Sequence, residues 1–82
     1  MKMTINDAQH YAETMGRMSA DAIRAEHPDA DLGNQDHWDG GLPAPEGINT
    51  ADWIAIEDAA EMALGMSLLE IAQTAERAAW AQ

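Results

Sequence analysis

Leu64-Gly65-Met66-Ser67-Leu68-Leu69-Glu70-Ile71 decides how the second half of this chain folds. A stripe of Trp53, Ile56, Ala60, Leu64, Leu68, Ile71, Ala75 and Ala78 runs through it at about 100° per residue, as one long helix would arrange it. Inside that stripe Gly65 is a stop signal. Ser67 with Glu70 reads as a capping box, and Met66 with Ile71 as the hydrophobic pair that staples a helix start. An unbroken helix of about thirty residues would span about 45 Å, long for so small a monomer. The local signals therefore favour a break near Gly65–Ser67 within a helical segment over 50–81, opened by Asn49 or Thr50 as cap.

Before this segment lies PDADLGNQDHWDGGLPAPEGIN (28–49), which holds all three prolines and four of the six glycines. It reads as a loop, long for a compact domain. Trp38 within it points to a docked segment, the alternative being an exposed contact for a partner. Before the loop, Thr4 can cap a helix with Asp7 three residues on. Ile5, Ala8, Ala12, Met15, Ser19 and Ala22 step by three and four, widened by Tyr11, Met18 and Ile23. Asp7, His10, Thr14, Arg17, Asp21 and Arg24 occupy the opposite face. Glu13 and Asp21 stand at helical spacing from Arg17 and Arg24, and Pro28 ends the helix near Glu26 or His27. The expectation is one all-α domain over 1–82: a small bundle with a helix over about 5–26, a loop over about 28–49 and helical structure over 50–81.

The 82 residues carry 15 acids and 4 bases, a net charge of −11, with no cysteine and no phenylalanine. So short a chain buries a thin core, which no disulfide can staple. The charge is uneven. Lys2, Arg17 and Arg24 balance Asp7, Glu13 and Asp21 in residues 1–25. From residue 26 onward Glu26, Asp29, Asp31, Asp36, Asp39, Glu46, Asp52, Glu57, Asp58, Glu61, Glu70 and Glu76 are answered by Arg77 alone. An acidic face is expected, and direct binding to DNA, RNA or an anionic membrane is not. No apolar run is long enough for a membrane span and the N-terminus lacks the apolar stretch of a signal peptide, so the expected location is the cytoplasm, that of a host cell.

Leu64, Gly65, Met66, Ser67 and Ile71 resemble the turn of a helix-turn-helix. Glu61 stands where that family has alanine, and Leu68, Leu69, Glu70, Gln73 and Thr74 occupy the positions that should reach bases or phosphates. The resemblance implies a tight helical turn and does not indicate DNA binding. The loop acids fail the calcium pattern, because counting from Asp29 puts Gly33 at position five and Gly40 at position twelve. His27 and His37 lack the close pairing of a zinc site. No metal or other cofactor is expected. A chain with no cysteine nucleophile, no phosphate loop and no His-Glu-x-x-His is not expected to be an enzyme.

In size, charge and its acid-only stretch over 26–76, the chain resembles in type the small acidic phage-encoded inhibitors grouped as anti-CRISPR proteins. The resemblance rests on no motif. It implies a partner with a basic surface, a CRISPR effector subunit, occupied in the manner of a nucleic-acid mimic. The physical case stands beside it: carboxylates one helical turn apart approximate phosphates along a strand, and basic channels attract them at long range. The candidate partner-binding residues are Asp52, Glu57, Asp58 and Glu61 on the helix and Asp29, Asp31, Asp36 and Asp39 in the loop. The alternative is a small dimeric structural or regulatory helical protein acting through protein–protein contacts. Its self-association surface would be Met62, Met66, Leu69 and Trp80, which lie away from the main stripe.

Overall fold

Three helices form the described part of the chain: α1 (Ile5–Glu26), α2 (Thr50–Leu64) and α3 (Leu68–Trp80). They belong to a computed structural model that describes residues 3–30, 38 and 40–81. Each helix starts where the sequence supplies a cap. The Thr4 hydroxyl accepts the Asp7 N–H at 3.0 Å while the Asp7 carboxylate accepts the Thr4 N–H at 3.2 Å, closing a capping box. Asn49 Oδ1 accepts the Asp52 N–H at 2.8 Å, and Ser67 Oγ the Glu70 N–H at 3.1 Å. Between α2 and α3, Gly65 takes φ +71°, a left-handed conformation that glycine adopts without steric cost. The single-helix alternative over 50–81 is thereby excluded.

The seam of the fold joins α1 to α3. On α1 the buried row is Ala8, Ala12, Gly16 and Ala20, and on α3 it is Leu68, Ala72 and Glu76. Both rows step by four, so the ridge of one helix lies along the groove of the other. The two backbones nearly touch: a Cβ built on Gly16 would lie 2.1 Å from the Ala72 carbonyl oxygen and 3.0 Å from the Ala75 Cβ. This corrects the expected α1 stripe. Ala22 and Met18 are exposed, Met15 and Ser19 flank the seam half-buried, and the interior belongs to the smallest residues of the helix.

Paired residues across the seam ascend together: Gly16 meets Ala72, Ser19 meets Glu76, and Arg24 meets Ala79 and Trp80. The helices are therefore parallel, and both carbonyl ends lie at one pole. Like-oriented helix dipoles repel there, and Arg24 offsets the negative pole. Its Nη2 donates to the carbonyls of Ala79 at 2.9 Å and Trp80 at 2.7 Å, and its guanidinium stacks 5.1 Å from the Trp80 ring centroid. The partner expected at helical spacing was Asp21. Where Arg24 points is set by the neighbouring helix.

Parallel helices also explain the long connection. After α1, about 33 Å long, the chain has to travel back before α2 and α3 can begin. Trp38 docks beside Glu76, toward the carbonyl ends of α1 and α3, and Pro43 lies nearer their N-terminal ends, where its carbonyl accepts the Tyr11 hydroxyl at 2.7 Å. Leu42 is buried next to Trp53, whose indole N–H donates to the Leu42 carbonyl at 3.3 Å. Tyr11 and Trp53 meet edge to face with centroids 5.5 Å apart. Trp38 thus takes the docked alternative, and residues 40–48 are a layer of the fold.

Candidate functional site

Helix α2 is the least buried of the three. Only Trp53 and Ala60 of its 15 residues are fully covered, and Ile56 and Glu57 are partly so. The rest of its surface is outward, and three of its four candidate acids are exposed: Asp52, Asp58 and Glu61. Glu57 is half-buried; desolvation first, and the neighbouring Asp58 charge second, push its carboxyl above the ordinary value of 4.5.

The structure brings part of this set together and separates the rest. At 100° per residue Glu57, Asp58 and Glu61 fall within about a third of the helix circumference. Asp58 and Glu61 share the wall of one shallow concavity with Met62 and Gly65. Asp52 points to the opposite flank, where its Oδ2 accepts the Asn49 side-chain N–H at 3.1 Å as part of the helix cap. It does not extend the acidic row. In the loop set Asp29 is exposed just beyond α1. Asp31, Asp36 and Asp39 lie outside the described residues.

The four apolar residues proposed for self-association do not form one surface. Leu69 packs against the core cluster, and Trp80 is half-buried under Arg24. Met62 is 88% exposed beside Asp58 and Glu61. Met66 lines a separate groove of about 260 Å³ between α1 and α3, with Gln9, Glu13, Ile71, Thr74, Ala75 and Ala78.

Reading the sequence alone misplaced one residue, Glu76, and passed over another, Ile54. Glu76, counted among the surface acids, is completely buried. Its Oε2 accepts the Ser19 hydroxyl at 2.5 Å and its Oε1 the Trp38 indole N–H at 3.1 Å, so this carboxyl group ties three segments together and is absent from the surface. The signal was the register Leu68-Ala72-Glu76, which continues an apolar row. Ile54, off the Trp53 stripe by one position, is 52% exposed on the same outer side of α2 as Asp58 and Met62.

Among the described residues, no three histidine, aspartate or glutamate side chains gather as a metal site, and no helix is long and apolar enough to cross a membrane. No protein-family model, curated protein or solved structure matches the chain.

Proposed function

We propose that this chain is an acidic interaction protein that inhibits a nucleic-acid-binding complex by occupying a basic surface in place of nucleic acid. The observation that carries the reading is the pairing of exposed Asp58 and Glu61 on a rigid helix with the absence of any Lys or Arg from residue 25 to residue 76. Arg24, which borders that stretch, is drawn to the carbonyl ends of α3. A helix fixes carboxylate spacing before binding, so the backbone ordering entropy that a loop would lose at the contact is avoided. The resemblance in type to small phage-encoded inhibitors extends the proposal to a CRISPR effector as target.

A guide-loaded effector, its labelled target duplex and increasing amounts of this protein give the test. The expected result is loss of the effector–DNA band in a gel shift and loss of cleavage, with the protein co-migrating with the effector. Unchanged DNA binding across representative effector types at a large excess of the protein would remove the CRISPR assignment. The same outcome with other basic nucleic-acid-binding complexes would remove the mimic reading itself.

A further inference from the structure

We propose that the outer face of α2 docks on a partner protein through apolar anchors as well as charge, with Ile54 and Met62 entering an apolar cleft whose edge carries Lys or Arg. This rests on the reading of α2 as the contact with a basic surface, and it names the chemistry of that surface. Ile54, Asp58 and Met62 form one row at intervals of four, and Glu61 lies beside it. The anchors are two turns apart, about 12 Å. Ile54 is 52% and Met62 88% exposed, and the exposed alanines Ala51, Ala55 and Ala59 leave the ground around them low. An isolated exposed apolar residue needs no explanation, but two anchors on one helical row flanked by acids match the way an amphipathic helix enters a groove. Methionine suits such a contact, because its unbranched thioether adapts to an irregular pocket.

Charge selects the occupant. A second copy of this face would set Asp58 and Glu61 against their own equivalents. The chain offers no cation between Arg24 and Arg77 to relieve that contact. An anionic lipid surface is disfavoured by the same sign. A basic rim around an apolar floor satisfies both features of the face, and such a complex resists salt better than one held by charge alone.

Two probes separate this inference from the reading beneath it: polylysine, which offers charge only, and an amphipathic helical peptide of leucine and lysine. Binding is measured by fluorescence anisotropy at low and high salt, for the wild type, for Ile54→Gln with Met62→Gln, and for Asp58→Lys with Glu61→Lys. These positions are exposed, so unchanged melting temperatures are expected and verify the fold. The glutamine pair should weaken the leucine–lysine peptide at least tenfold and leave polylysine unchanged, and the lysine pair should weaken both. If the glutamine pair leaves both peptides unchanged, the apolar docking surface is refuted while the acidic reading stands. If neither peptide binds the wild type, both fall. Sedimentation showing a dimer that the glutamine pair dissolves would assign the face to a second copy and overturn the proposal.

Discussion

The indole N–H of Trp38 donates to the Glu76 carboxylate at 3.1 Å across 38 residues of sequence, fastening the returning segment to the α1–α3 seam. The Ser19 hydroxyl donates to the other carboxylate oxygen. A carboxylate with no exposed surface is tolerated because donors from two other segments converge on it.

Removing that carboxylate leaves a buried indole N–H without its acceptor. Glu76→Ala should destabilise the fold by about 3 kcal/mol, the scale expected for orphaned buried donors together with a small cavity. Urea unfolding followed by circular dichroism gives the value. A loss below about 1 kcal/mol would show that the Glu76 contacts contribute little to stability.

Gly16→Ala reverses the usual sign of a helix substitution. In an exposed helix the change gains about 1 kcal/mol. Here the new methyl meets the Ala72 carbonyl, and α1 has to move off α3, a distortion worth about 2–3 kcal/mol. The expected outcome is a lower denaturation midpoint; a higher one would show that the helices separate without penalty.

Two ionisable groups give opposite pH signatures. The Thr4 backbone N–H, followed by the Thr4 hydroxyl, holds Asp7 below its ordinary 3.8. A depressed folded value means that its contribution is present above the unfolded pKa and is lost as the pH falls through the folded one. Asp7→Asn should therefore be less stable than wild type at neutral pH, with the difference closing below pH 3.8. Burial raises Tyr11 above 10.0, so its contribution is full below that pH and disappears as the pH rises through the folded value. Tyr11→Phe, which also gives up the hydroxyl bond to Pro43, should be flatter than wild type in alkaline denaturation.

Charge reversal tests the acidic face as a cluster. Asp58→Lys with Glu61→Lys should weaken partner binding by more than a decade, at about 1 kcal/mol for each reversed residue. Asp21→Lys with Glu26→Lys changes net charge equally at exposed positions of α1 and should leave binding nearly intact. Asp7 is unsuitable as a control because it belongs to the α1 capping box. Equal losses from both pairs in the competition assay would reduce the effect to net charge.

Caps and stops were legible because they are local: Thr4-Asp7, Asn49, Gly65 and Ser67 each act within four residues. The seam was legible only in part. Hydrophobic periodicity ranks Met15 and Ile5 above Gly16, whereas close backbone approach favours the residue with least bulk. Helix direction was hidden, since nothing in α1 or α3 alone states that they run parallel. For the candidate site, exposure of Asp58, Glu61 and Met62 followed from their distance from the Trp53 stripe. The fates of Asp52, Glu76 and Trp80 depended on a cap, a docked indole and an arginine from another helix.

Parallel pairing of α1 with α3 also fixes how this chain has to fold. Most small helical proteins fold quickly because neighbouring helices form hairpins, and contacts accumulate between residues close in sequence. Here the sequential neighbours α2 and α3 touch little, and the Ser19–Glu76 contact spans 57 residues. Most of the chain has to be drawn into a closed loop before its principal interface rewards the entropy lost. The molecule is helical in content, yet its principal interface is non-local, and stopped-flow refolding slower than that of hairpin-built helical bundles of its size is the expected outcome.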